Sequence, residues 1–151
     1  MKFNVKKINQ FLLVKLPSAF LCGVRAYSID EEKCIVHVRH KWMNQNPFRS
    51  MYFAVQAMAA ELSTGALVMN EIAVSKQKIS MLVLNSKMNF SKKATGKITF
   101  TCNDGAMIKS EVQKAINSNE AVTFWATSVG TNEIGEVVST MQFEWTLKVK
   151  Q

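Results

Sequence analysis

The sequence predicts an α+β fold with an antiparallel sheet of about six strands, one long central helix after the second strand, and smaller helices at the edges. The clearest signal is residues 137–150, where apolar and polar side chains alternate over about 45 Å, at ~3.4 Å per residue. Such a strand has one buried and one solvated face, and an antiparallel sheet of that span must curl. Across residues 51–70, apolar residues recur three and four positions apart, which predicts an amphipathic helix about 30 Å long.

The other predicted elements follow from the same two periodicities. Residues 3–22 are expected to form a helical region that Pro17 breaks or restarts, and Asp104 is expected to cap a short helix after it. Residues 72–78 are expected to be a connector. In the strand that follows the connector, Leu82, Leu84, Met88 and Phe90 are expected on one face. The five further strands are predicted at 24–29, Cys34–Arg39, Ile79–Phe90, Lys97–Cys102 and 121–129.

Length and composition fit one domain over residues 1–151, long enough to bury about two thirds of its unfolded surface. No apolar run approaches the ~18–20 residues of a membrane span, and no signal-peptide pattern begins the chain. The three cysteines have no metal-ligand spacing, so reduced thiols and a cytoplasmic location are expected. The net charge of +8 favours an anionic partner. Because the basic residues are scattered, nucleic acid is not the partner that we expect.

A lone carboxylate, Glu61, interrupts the small side chains in the middle of the predicted central helix. Taken alone, a single helix glutamate is more often a solvated or paired surface residue than a catalytic one. Gly65 in the same helix costs about 1 kcal/mol relative to alanine, so a close approach by a neighbouring element is expected there. Glu61 is therefore exposed, paired or part of a site.

The order of elements resembles the hotdog fold, in which a curved sheet wraps a helix. The run from Asn46 through Gly65 is similar to the loop and helix of hotdog thioesterases, and in particular to an uncharacterised domain-of-unknown-function branch beside the phenylacetate-pathway thioesterases. The run from Met88 to Gly96 also resembles the strand-turn-strand segment of that family. The resemblance implies a homodimer, or a tetramer, that shares each site between two chains and acts on acyl-coenzyme A or acyl-carrier-protein thioesters.

The same resemblance assigns roles to particular residues. It implies that Glu61 is the general base or nucleophile, that Thr64 positions water, and that Asn46, with Asn44 second, polarises the thioester carbonyl. The family carries glycines where this chain has Tyr52, Phe53 and Ala54, so the helix start departs from the catalytic pattern. The remaining expected substrate contacts are Arg49, Tyr52, Phe53, Lys92 and Lys93, the two lysines toward the phosphates of coenzyme A.

Two other functions remain open at this stage. A non-catalytic hotdog protein would hold an acyl ligand in the same place without turnover, and the bulky helix start favours it. A helix-grip or cystatin-like binding domain also packs a helix on a curved sheet, but two strands before the long helix argue against it. No metal is expected, because His37 and His40 point to opposite faces of one strand. No cofactor is expected beyond the coenzyme A of the substrate.

Overall fold

The computed structural model describes residues 3–150 and contains one six-stranded antiparallel sheet with a long helix on its concave face. The strands are β1 (Arg25–Ile29), β2 (Cys34–Arg39), β3 (Ile79–Phe90), β4 (Lys97–Cys102), β5 (Val122–Thr131) and β6 (Val137–Val149). The helices are α1 (Val5–Lys15), α2 (Pro17–Leu21), α3 (Phe53–Ser75) and α4 (Gly105–Ser118). The order across the sheet is β1-β2-β4-β5-β6-β3, so β1 and β3 form its two edges.

The central helix α3 is enclosed in its middle, where many of its side chains are small. Ala59, Ala60, Ser63 and Ala66 are fully buried, and Gly65 is buried as well, all within about two turns. A Cβ atom built on Gly65 would lie 3.1 Å from the indole ring of Trp145 on β6. The close approach that the glycine predicts is therefore the contact between α3 and that ring.

The two edges of the sheet differ, because a helix covers one of them and the other is open. Along β1, the side-chain amide of Asn9 on α1 donates to the Ala26 carbonyl at 3.1 Å, and its oxygen accepts from the Ala26 amide at 2.9 Å. The helix thus satisfies backbone groups that a bare edge would leave free. On the other side, β3 pairs only with β6 among the described strands. Its second edge is open, and Leu82, Leu84, Met88 and Phe90 are exposed along it.

We predicted that the apolar residues Leu82, Leu84, Met88 and Phe90 share one face of β3. This prediction is wrong, because the strand contains a bulge. Its register with β6 shifts between Val83 and Asn85, so one residue is inserted on the β3 side. Leu82 pairs with Thr146 on the outer face, whereas Met88 pairs with Met141 on the face that lines the core. The two side chains therefore lie on opposite faces of β3.

Two local predictions near helix ends also differ from the structure. The central helix begins at Phe53 and continues to Ser75, so most of the expected connector is helical; Lys76 ends it with a left-handed backbone, φ 58°. Asp104 precedes α4, but its side chain does not cap that helix. Its Oδ2 accepts from the Thr127 amide at 2.6 Å instead, which ties the start of α4 to β5.

Candidate functional site

The loop before α3 is shaped by the side chain of Asn46. Its Oδ1 accepts from the amides of Phe48, at 2.9 Å, and Ser50, at 3.3 Å, and its Nδ2 lies 3.0 Å from Ser50 Oγ. The backbone reverses at Arg49, which has a positive φ of 59°. Asparagine provides the short polar side chain that such a turn requires. Asn46 thus holds the loop in one conformation beside the start of the helix.

This loop forms one wall of a groove of about 450 Å³. The first turn of α3 forms its floor, and the end of β3 with the turn after it forms the opposite wall. Phe53 on the helix and Phe90 on β3 meet edge to face, with ring centroids 6.3 Å apart. The residues that line the groove are Asn46, Phe48, Ser50, Met51, Phe53, Gln56, Phe90, Ser91, Lys92, Lys93 and Ala94.

The two lysines of the groove differ in their surroundings. Lys92 pairs with Glu136 across the strand end, and that contact lowers the pKa of the Glu136 carboxyl. Lys93 donates only to the backbone carbonyl of Phe48, at 3.3 Å. Both are exposed. Lys93 therefore presents a cation at the mouth of the groove that no carboxylate among residues 3–150 neutralises.

The start of α3 carries free backbone donors beside the groove, which Phe53 lines. Tyr52 precedes the helix and makes no side-chain cap. Within residues 3–150, the amides of Phe53 and Ala54 have no acceptor, whereas those of Tyr52 and Val55 are bonded. Free amides at the positive end of a helix dipole are suited to hold an anionic oxygen.

Glu61 lies on the same helix but outside the groove. It is eight residues after Phe53, roughly 12 Å along the axis at ~1.5 Å per residue. The carboxyl is largely buried, next to Gly65, and burial raises its pKa to about 7. No lysine, arginine or hydrogen-bond donor contacts it in the part of the chain that the structure describes. Within one chain, the groove and Glu61, the predicted base, therefore lie apart.

Thr64 is fully buried and faces the sheet. Its hydroxyl donates to the Glu61 carbonyl at 2.9 Å and accepts from the indole Nε1 of Trp145 at 3.0 Å. These bonds fix the Trp145 ring against the helix next to Glu61. Thr64 is thus one turn from the carboxylate, but its hydroxyl is engaged with the protein.

Asn44, Arg49 and Tyr52 do not line the groove. Asn44 is buried, and its amide donates to the carbonyls of Cys22 and Arg39, each at 2.9 Å. These bonds attach the 3₁₀ turn Trp42–Asn44 to the end of α2 and to β2. Arg49 and Tyr52 are exposed, and the Tyr52 ring packs against that of Phe53.

Sequence reasoning missed Gln56, which lines the groove from the first turn of α3. Its side chain is only 4% exposed, and its Oε1 has no hydrogen-bond donor in the described chain. Glutamine is an ordinary surface residue of helices, so its burial could not be read from the sequence. The one sign of its burial in the sequence was that its neighbour Val55 belongs to the apolar residues that recur three and four positions apart across residues 51–70.

Three further features of the described residues bear on function. A larger hollow, of about 910 Å³, lies along the exposed face of α4 between Lys109 and Lys114, and it is shallow and lined by that helix alone. No group of three metal-ligating side chains comes together among residues 3–150. None of the helices described has the length and apolarity needed to cross a membrane.

The chain is similar along nearly its whole length to solved structures. A protein of unknown function from Pseudomonas aeruginosa, called a probable thioesterase, is 20% identical, with 99% of each chain covered and a TM-score of 0.85. A protein of unknown function from Chlorobaculum tepidum is 15% identical, covering 97% of this chain and 94% of its own, with a TM-score of 0.83. A thioesterase from Haemophilus influenzae is 11% identical, covering 99% and 93%, with a TM-score of 0.72.

These likenesses establish the fold. It is the hotdog fold, as predicted, and not the helix-grip or cystatin-like alternative. No curated protein sequence matches the chain. A family model described as a domain of unknown function, DUF4442, matches residues 6–147. The chain therefore belongs to the DUF4442 family of hotdog-fold proteins.

Proposed function

We propose that this protein hydrolyses an acyl thioester of coenzyme A or of an acyl-carrier protein, as a homodimer that uses Glu61 as its general base. The observation that carries the proposal is the Glu61 carboxyl, which is largely buried, has no cation beside it among residues 3–150 and has a pKa of about 7. A base with a pKa near the working pH is the most effective proton acceptor. Carboxyl groups whose pKa is raised by burial are concentrated at functional sites.

Dimer formation would bring the two halves of the site together. The free edge of β3 offers unpaired backbone groups, and its apolar side chains are exposed beside the groove. Pairing of β3 with a second copy would extend the sheet and cover those side chains. The α3 helices of the two protomers would then lie next to each other, with the groove of one facing Glu61 of the partner subunit. A tetramer would require a further interface.

The chemistry follows from the groups present. A water oxygen attacks the thioester carbon while Glu61 accepts a proton from that water. The oxygen of the tetrahedral intermediate accepts hydrogen bonds from the free amides of Phe53 and Ala54, and a donor of this kind is typically worth ~3 kcal/mol in the transition state. The carbon–sulfur bond then breaks, and the departing sulfur takes the proton from Glu61. Attack by the Glu61 carboxylate itself is the other route to the same products.

The test is release of free thiol from a panel of acyl-coenzyme A substrates by the wild type and by Glu61→Gln. Loss of a general base is expected to lower kcat roughly 10²- to 10⁴-fold. Glu111→Gln on α4, a part-buried glutamate far from the groove, is the matched control and is expected to keep full activity. Equal rates for wild type and Glu61→Gln would exclude Glu61 as the base.

The second candidate is a non-catalytic acyl-binding protein. It is favoured by Phe53, whose ring stands at the groove between Tyr52 and Phe90, where the resembling enzymes carry glycine. A substrate carbonyl would have to pass this ring to reach the helix amides. Tight binding of acyl thioesters with no thiol release from any of them would favour this function over hydrolysis.

A further inference from the structure

The Gln56 side chain is in an unusual position for a buried polar group. Its Nε2 makes one long contact, 3.4 Å, to the carbonyl of Met51, and its Oε1 has no donor among residues 3–150. The residue is more than nine-tenths buried and lines the groove. A buried acceptor without a donor is unfavourable, and proteins retain few of them.

The side-chain acceptors of Asn46 and Ser50 in the groove wall are engaged. Asn46 Oδ1 accepts from the amides of Phe48 and Ser50, and the Ser50 hydroxyl donates to the same oxygen at 3.2 Å. The cations at the mouth, Lys92 and Lys93, are donors only. Gln56 Oε1 is thus the buried side-chain acceptor of the described groove that still lacks a donor.

The orientation of the Gln56 amide follows from its one contact. With Nε2 toward the Met51 carbonyl, the nitrogen donates to that oxygen. If the amide were turned over, two oxygens would face each other at that distance, which is repulsive. The free atom is therefore the carbonyl oxygen. It can accept a hydrogen bond but cannot donate one.

We propose that Gln56 Oε1 accepts a hydrogen bond from an N–H or O–H group of the bound thioester, so the groove selects ligands that carry such a donor. This inference rests on the proposed function, because it places a thioester in the groove. The donor has two possible sources. It is either an amide N–H of the pantetheine arm that carries the thioester, or a hydroxyl or amide on the acyl group.

The experiment compares matched pairs of thioesters with Gln56→Met, which keeps the length and bulk of the side chain but removes the oxygen. The first pair is an acyl N-acetylcysteamine thioester, which has an amide, and the propyl thioester of the same acid, which has none. The second pair is a hydroxyacyl-coenzyme A and the corresponding acyl-coenzyme A. Non-hydrolysable thioether analogues of both pairs give dissociation constants independently of turnover.

For the pair that contains the relevant donor, the wild type is expected to prefer the donor-bearing member roughly tenfold, and Gln56→Met is expected to lose that preference. If Gln56→Met loses the preference within the first pair alone, the donor belongs to the pantetheine arm. If it loses the preference within the second pair alone, the donor belongs to the acyl group. A ratio within one variant cancels any general effect of misfolding. Gln113→Met, at an exposed glutamine of α4, is the control and should keep the wild-type ratios.

The inference is overturned if Gln56→Met leaves both ratios unchanged, since the oxygen would then be satisfied by water. It is also overturned if no analogue binds to the wild type. A third outcome is that the analogues bind with the expected preference but no thioester is hydrolysed. Hydrolysis is then excluded as the function, whereas the proposed role of Gln56 in binding is supported.

Discussion

At the scale of single residues, burial and charge conflict at Glu61. A general base acts only when deprotonated, and the pKa of this carboxyl is about 7. We therefore expect kcat/KM for thioester hydrolysis to rise with pH through about 7 and then level off. A pH–rate profile for any active substrate measures this. A profile that is already flat between pH 5 and 6 would place the essential base elsewhere.

The same carboxyl makes stability depend on pH. Its folded-state pKa lies above the usual value of 4.5, so the folded protein holds the proton more tightly than the unfolded chain does. The contribution of Glu61 to stability is then greatest below pH 4.5 and is lost as pH rises to about 7, by roughly 3 kcal/mol at most, since one pKa unit corresponds to ~1.4 kcal/mol. Urea unfolding at pH 5 and pH 8 should show this decrease for the wild type, and a smaller one for Glu61→Gln.

Glu61 and Gln56 show what the sequence can reveal about single residues. A lone acid among small helix residues is unusual in itself, and the resemblance to hotdog thioesterases strengthened its selection. Gln56 belongs to an ordinary helical pattern. It lines the same groove as Lys92 and Lys93, which lie about 40 residues further along the chain. No local pattern reports that two segments so far apart in sequence come together.

At the scale of elements, the fit between α3 and β6 depends on Gly65. In Gly65→Ala, the gain of ~1 kcal/mol in helix propensity is opposed by a methyl group 3.1 Å from the Trp145 ring. That ring is buried and held by its bond to Thr64, so it cannot move aside. We expect a net loss of about 1 kcal/mol in unfolding free energy, measured by chemical denaturation.

A double variant separates the two effects on this helix. Phenylalanine lacks the ring atoms that a methyl group on residue 65 would meet. Adding Gly65→Ala to Trp145→Phe should therefore be stabilising relative to Trp145→Phe alone. If alanine is equally destabilising in both backgrounds, crowding against Trp145 is not the reason for the glycine.

The edge strand β3 is the element on which the proposed dimer depends. Leu84 is 47% exposed on that edge, and an aspartate there would place a charge in the interface. Sedimentation at micromolar concentration should show a dimer for the wild type and a monomer for Leu84→Asp. Leu13→Asp is the matched control, because Leu13 is 54% exposed on α1, at the opposite edge of the sheet. A monomeric wild type would exclude the shared site.

The strands also show where sequence reasoning about elements succeeds and fails. The alternation of β6 appears in the structure because one of its faces is buried over almost its whole length. The alternation of β3 misled, because a bulge moves the residues after Leu84 by one position relative to β6. A bulge is a property of two paired strands, and the sequence of one strand does not contain it.

At the scale of the whole molecule, the net charge of +8 attracts an anionic ligand from every side. Salt screens that attraction, so KM for a coenzyme A thioester should rise with ionic strength. Lys93→Gln should raise KM roughly two- to fivefold, because a surface charge contributes up to ~1 kcal/mol. Lys92→Gln should have a smaller effect, because Glu136 already neutralises Lys92. Equal KM values at low and high salt would argue against recognition of the phosphates.

The position of β3 also has a consequence for biosynthesis. Its one partner among the described strands is β6, which follows only after two more strands and a helix have been made. While a ribosome extends the chain, the apolar residues of β3 and one side of α3 stay uncovered until β6 emerges. Long-range pairing of this kind folds slowly and exposes intermediates to aggregation. A nascent chain halted before β6 should therefore be a substrate for chaperones, and completion of β6 should release it.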